Sequence, residues 1–125
     1  MRLDADFGVT AAKADDLRAR VRRLGLDPAR IEESFSRGGG KGGQKINKSA
    51  NRVQLYYAPL ELRVACQRER RQSLNRFLAL RELVDRAEMI LSPQTSARLA
   101  GFERVRRRKA RTASRSAEKY GEATR

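Results

Sequence analysis

The chain has 125 residues, with 29 Lys and Arg against 15 Asp and Glu, no His, no Trp and a formal net charge of +14 at pH 7. That length allows one domain with a modest core, and a sequence pI near 11.3 points to a polyanionic partner, nucleic acid above all. The absence of His excludes imidazole catalysis and His-based metal sites, while a single cysteine, Cys66, excludes an intramolecular disulfide and cannot by itself build a zinc site, so neither a metal nor a cofactor is expected.

Taken in chain order, Thr10 reads as the cap of a first helix over 10–24, with Ala11, Ala14, Leu17, Val21 and Leu24 at helical spacing. Gly25 and Pro28 stop it. Residues 30–37 alternate in part and predict a strand. A glycine-rich turn follows, then a short polar stretch, Asn47 to Asn51, read as a single helical turn. Residues 52–57 and 60–66 alternate on either side of Ala58-Pro59 and predict a hairpin, with Val53, Leu55, Leu62, Val64 and Cys66 on its buried face and one tyrosine of the pair Tyr56-Tyr57 pointing inward. Leu74, Phe77, Leu78, Leu80, Val84, Ala87 and Leu91 form an apolar stripe on a helix over 69–91, ended by Pro93. The fold class is therefore α+β: a small antiparallel or mixed sheet with a long helix packed on one face, over residues 1–92. Residues 93–125 carry Arg104, Arg106, Arg107, Arg108, Lys109 and Arg111 but few apolar side chains, and are expected to form a basic tail, disordered or helical only on RNA.

The positive charge is placed unevenly: residues 1–36 are net neutral, whereas 37–90 and 91–125 each carry +7. The excess begins at the turn Arg37-Gly38-Gly39-Gly40-Lys41-Gly42-Gly43-Gln44, which holds five glycines in eight positions. Such a backbone reaches positive φ and approaches a partner closely. Its one large neutral polar side chain is an amide, which donates and accepts hydrogen bonds but takes no proton at neutral pH. A phosphate-binding loop for nucleotide hydrolysis is excluded, because Gln44 stands where that pattern needs Lys and the flanking strand and helix it requires are not there. No stretch is long and apolar enough for a membrane helix. Asp4, Asp6, Asp15 and Asp16 do not suit a mitochondrial leader, and a cytoplasmic address is expected.

The run Gly39 to Lys48, followed by Val53, Leu55, Pro59, Leu62, Val64, Cys66-Gln67, Arg70, Gln72 and Asn75-Arg76, resembles the catalytic domain of class I peptide chain release factors. The resemblance covers residues 30 to about 90. It departs at Gly39, where relatives commonly carry Ser, which loosens the loop without touching its chemistry.

The resemblance implies that the loop, residues 37–48, enters the peptidyl-transferase centre of the large ribosomal subunit and hydrolyses the peptidyl-tRNA ester, with Gly42, Gly43 and Gln44 as catalytic residues. Gly40 and Asn47 would support the loop. Arg37, Lys41, Lys45, Lys48 and Arg70 would meet ribosomal RNA, as would the arginines and lysine of the tail. Gln67, Arg70 and Gln72 read equally well as a polar helix start. Only 36 residues precede the turn, too few for a codon-reading domain, so the expected class is the short, codon-independent type that rescues stalled ribosomes, acting as a monomer on whole ribosomes or split large subunits. In some such proteins the tail occupies the messenger channel of the small subunit. The rival reading is a non-catalytic ribosomal or transfer RNA-binding protein that keeps the fold.

Overall fold

The computed structural model describes residues 1–37 and 50–121, with side chains up to Glu118. The elements run α1 (Ala11–Arg23), β1 (Ile31–Ser36), β2 (Arg52–Tyr57), β3 (Leu62–Cys66), α2 (Gln72–Leu91) and α3 (Ala97–Gly121), with short 3-10 turns at Pro28–Arg30, Ala58–Leu60 and Pro93–Thr95.

Local chemistry sets most of these bounds. The Thr10 hydroxyl accepts the Lys13 N–H at 3.4 Å and starts α1. At its other end Gly25 adopts φ +71, its N–H bonding the Arg22 carbonyl and that of Leu26 the Val21 carbonyl. This paired pattern is a Schellman motif, which needs the left-handed residue that glycine supplies and brings buried Leu26 back onto buried Val21. The hairpin is wider than its sequence suggests. Ala58–Leu60 coil into a 3-10 turn and Glu61 takes the left-handed conformation at φ 52, so β3 starts at Leu62 rather than at residue 60.

The sheet is an antiparallel meander in the order β1-β2-β3. Phe35 pairs with Val53 and Ser36 with Arg52, while across the hairpin Val53 faces Cys66 and Leu55 faces Val64. Val53, Leu55, Tyr57 and Val64 are buried on one face and pack with Phe77, Leu80, Leu83, Val84 and Ala87 of α2 in a single core that also takes in Phe7, Leu17 and Val21. Leu62 and Cys66 lie on the same face, partly buried, as the alternation predicts. Of the tyrosine pair it is Tyr57 that turns inward, its hydroxyl accepting the Asp27 N–H at 3.1 Å.

The tail differs from its expectation. Residues 97–121 form a continuous 25-residue helix, and its base belongs to the folded body. Buried Ser96 accepts the Leu99 N–H at 3.1 Å, and the Arg98 guanidinium reaches Glu82 at 2.6 Å and Asp85 at 3.1 Å on α2. Hydrophobic content alone misjudges this segment, because Ala, Arg, Lys and Glu are strong helix formers and the anchoring is ionic. The clamp crosses the expected boundary between residues 92 and 93.

Candidate functional site

Because β1 and β2 are antiparallel neighbours with Ser36 opposite Arg52, the chain leaves the sheet at Arg37 and returns at Ala50-Asn51 side by side. Both flanks of the intervening segment are therefore at one end of the sheet. Gly40, Lys41, Gly42, Gly43, Gln44, Lys45, Asn47 and Lys48, together with the helical turn expected from residue 47, lie outside the described residues.

What is described is the root of that segment, held by the first turn of α2. Asn75 is fully buried and uses both ends of its amide. Its Nδ2 donates to the Asn51 carbonyl at 2.7 Å and to the Glu69 carbonyl at 2.9 Å, while its Oδ1 accepts the Glu69 N–H at 2.9 Å and the Cys66 thiol at 3.5 Å. One residue before Asn51, the Ala50 carbonyl accepts from Gln72 Nε2 at 2.6 Å. Asn51 Nδ2 donates to the Glu69 carbonyl at 3.3 Å, and its Oδ1 is the one buried side-chain oxygen or nitrogen without a partner among the described residues.

The entry strand is fixed from the same helix turn. Arg76 makes a two-pronged contact with Glu33 of β1, Nε at 2.7 Å and a terminal nitrogen at 3.1 Å, with its guanidinium 5.5 Å from the centre of the Phe7 ring. Both side chains of this pair are 15% exposed, so the contact is better shielded than a surface ion pair.

A second polar cluster lies toward the other end of α2. Glu82, Asp85 and Glu88 are spaced three apart and so share a face. Arg20 reaches Asp85 at 2.7 Å and Glu88 at 2.8 Å, Arg23 reaches Glu88 at 2.8 Å, and Arg86 reaches Glu82 at 2.9 Å, beside the Arg98 contacts from α3. Glu88 is only 2% exposed. Burial pushes its carboxyl up, but hydrogen bonds from Thr95 and Arg20 and the charges of Arg20 and Arg23 outweigh this, and it lies below the usual range. The Arg98 hydrogen bond, against partial burial and assisted by Arg86, holds Glu82 down to about 2. Arg20 and Arg98 are correspondingly raised; for Arg20 burial acts downward but the carboxylates overcome it, and for Arg98 the Glu82 bond is the largest influence.

The remaining predicted cations are exposed. Arg37 sits at the end of β1 and Arg70 in the bend before α2. Arg104, Arg106, Arg107, Arg108, Lys109 and Arg111 all lie on α3, with Arg106 and Arg107 near Glu103 at 3.3 and 3.6 Å. At 100° per residue Arg104, Arg108 and Arg111 form one row, and Arg115, which composition alone does not single out, extends it. Sequence reasoning also misses the anchoring role of Asn75 and the bond from Gln72 to Ala50. The signal available for both is their position on the first turn of a helix that follows a strand directly.

The class defined by this geometry is a small α+β module in which adjacent strand ends flank a sequence that is cationic and glycine-rich, and which carries an arginine-rich helix. A sequence model described as the RF-1 domain matches residues 19–124, and the chain belongs to that family. It is 36% identical over 73 residues to the human protein named mitochondrial translation release factor in rescue, a match covering 58% of this chain and 44% of that one. It is 35% identical over 77 residues to peptide chain release factor 1 of Geotalea uraniireducens, covering 62% and 22% respectively. The chain thus spans less than two thirds of either relative. Among solved structures it is similar to RF2 of Thermus thermophilus, with TM-score 0.39 and 31% identity over 72% of this chain and 22% of that one.

Proposed function

We propose that the chain is a codon-independent, ribosome-dependent peptidyl-tRNA hydrolase that frees nascent peptides from stalled ribosomes or split large subunits. The observation that carries this reading is the sequence Gly42-Gly43-Gln44, lying in the chain between two adjacent strands in a member of the RF-1 domain family. Similarity to a relative named for release in rescue supports the rescue setting.

In this reading the loop enters the peptidyl-transferase centre and the Gln44 main-chain N–H faces the oxygen on which negative charge develops as water attacks the ester carbonyl. The Gln44 side-chain amide positions that water; as a neutral amide it takes no proton. The carbonyl carbon gains a bond to the water oxygen and loses its bond to the terminal ribose oxygen of the transfer RNA, which takes up the proton. Gly42 and Gly43 permit the close backbone approach. Lys41, Lys45 and Lys48 neutralise ribosomal RNA phosphates, and the arginine row of α3 adds sequence-independent affinity.

The test is a peptide-release assay on stalled whole ribosomes and on isolated large subunits carrying peptidyl-tRNA, run side by side. The wild-type chain is expected to release peptide on at least one of them. Gln44→Ala and Gly43→Ala should slow release by about 10² or more, the scale of removing one hydrogen bond that serves water or the oxyanion, while binding persists. Release by both variants at the wild-type rate would refute the catalytic assignment of Gly43 and Gln44, and binding without release by the wild-type chain would favour the non-catalytic RNA-binding alternative.

A further inference from the structure

The described residues nearest the glycine segment are held by uncharged side chains, in a molecule whose other inter-element polar contacts are largely ionic. Within one turn of α2, Gln72 and Asn75 bond the carbonyls of Ala50 and Asn51, and Arg76 bonds Glu33 on the strand that leads into the segment. Asn75 is the unusual member. A fully buried amide has two donor hydrogens and two acceptor lone pairs to satisfy, and here residues 51, 66 and 69 satisfy all of them. Asparagine is a weak helix former, so α2 gains nothing in propensity from it. Its effect is to weld the returning end of the glycine segment to the bend 66–69 and to the helix.

We infer that Asn75 and Gln72 are positioning residues for Gln44: they fix residues 50 and 51, and through six residues of chain they limit where the catalytic amide is presented. The inference rests on the hydrolase reading for its functional half and on the hydrogen-bond geometry for its structural half. A catalytic group on a glycine-rich segment has little local means of holding its place, because glycine contributes no side-chain packing. Precision of presentation must then come from the points where the segment joins the rigid body. The anchored residues of the exit side, Ala50 and Asn51, lie six and seven residues from Gln44, against eleven for Glu33 on the entry strand, and the exit side is where the amides cluster.

The experiment compares Gln72→Ala and Asn75→Ala with Val21→Ala, a cavity variant in the core of α1 that reports simple loss of stability. Two quantities are measured on each protein: single-turnover peptide release across a titration of the factor, and hydrogen exchange at the backbone amides of residues 50–53. Gln72→Ala, an exposed truncation that leaves the core whole, should lower the saturating release rate about three- to tenfold, with the half-saturating concentration within about twofold of wild type. Asn75→Ala should lower it further, and both should speed exchange at residues 50–53 by about tenfold or more. Val21→Ala should lower the melting temperature yet release peptide at the wild-type saturating rate per folded molecule. Wild-type saturating rates in both amide variants, or a loss that Val21→Ala reproduces at equal destabilisation, would overturn the inference. Should the wild-type chain itself release nothing, the hydrolase reading fails first and the exchange data decide the anchor alone: unchanged protection at residues 50–53 removes it.

Discussion

The two ends of α2 solve the same problem with different chemistry. Its first turn holds the root of the glycine segment mainly through neutral amides bonded to backbone carbonyls, with a single shielded ion pair. Its second half joins α1 and α3 through three carboxylates and three guanidinium groups, those of Arg20, Arg23 and Arg98. The amide contacts have directional geometry and no titration. The ionic cluster binds two further helices but depends on every carboxylate staying charged. The difference teaches that three carboxylates of α2 are committed to joining helices, while the returning end of the glycine segment is seated by neutral amides on backbone carbonyls, bonds that need no charge on either partner.

The largest expected effect comes from unbalancing the ionic end. Glu88→Ala removes a buried carboxylate shared by Arg20, Arg23 and Thr95 and leaves Arg20 with Asp85 alone; removal of one member of a fully buried pair costs about 3–5 kcal/mol, which is the upper bound for this site. Asn75→Ala strands the Asn51 carbonyl and the Glu69 N–H and should cost about 1–3 kcal/mol. Chemical denaturation of the two variants beside wild type checks the order, and a smaller loss for Glu88→Ala would break the comparison.

Acid should separate the two ends more gently. A glutamate at 4.5 when unfolded and about 2 when folded contributes stability that is fully present above 4.5 and is lost as pH falls toward 2. Glu88, also lowered, acts in the same sense. The melting temperature is therefore expected to hold from neutral pH down to about 5 and then to drop. Glu82→Gln should start lower and fall less steeply over that window, which a circular dichroism melt at each pH would show. Amide protection at residues 50–53 should outlast that of the first turn of α3 as the pH is lowered.

The smallest effect on the fold is expected from the outer part of α3. Replacing Arg104, Arg108 and Arg111 with Gln should change unfolding free energy by less than about 0.5 kcal/mol, since these side chains are exposed. The same triple variant should flatten the salt dependence of ribosome binding, by roughly 0.7–0.9 in slope for each phosphate no longer neutralised. An unchanged slope would show that the row is solvated and plays no part in delivery.

Much of this architecture is legible in the sequence where the cause is local. Thr10 and Gly25 mark α1 because capping acts over three or four residues, and alternation places Val53, Leu55 and Val64 on one face because the strand period is two. The family resemblance likewise follows from residue identities along one run. What stays hidden depends on long-range pairing. Arg20 and Glu88 are 68 residues apart and Asn51 and Asn75 are 24 apart, and nothing in either neighbourhood announces the partner. The spacing of Glu82, Asp85 and Glu88 on one helix face is a readable sign of an ionic seam, and Arg20 and Arg23 on α1 are its counterpart. For α3, thin apolar content points to disorder because ionic anchoring of a helix base leaves no hydrophobic signature.

That anchoring gives α3 a mechanical meaning. Twenty-five residues at about 1.5 Å each make a rod of about 37 Å, fastened at its base where Arg98 meets α2. A tilt of about 10° at that base would sweep the far end through about 6 Å, close to one helical pitch. The contacts of Arg98 with Glu82 and Asp85 thus act like the mount of a boom: a small change at the base would be read out as a large displacement of the distant arginines.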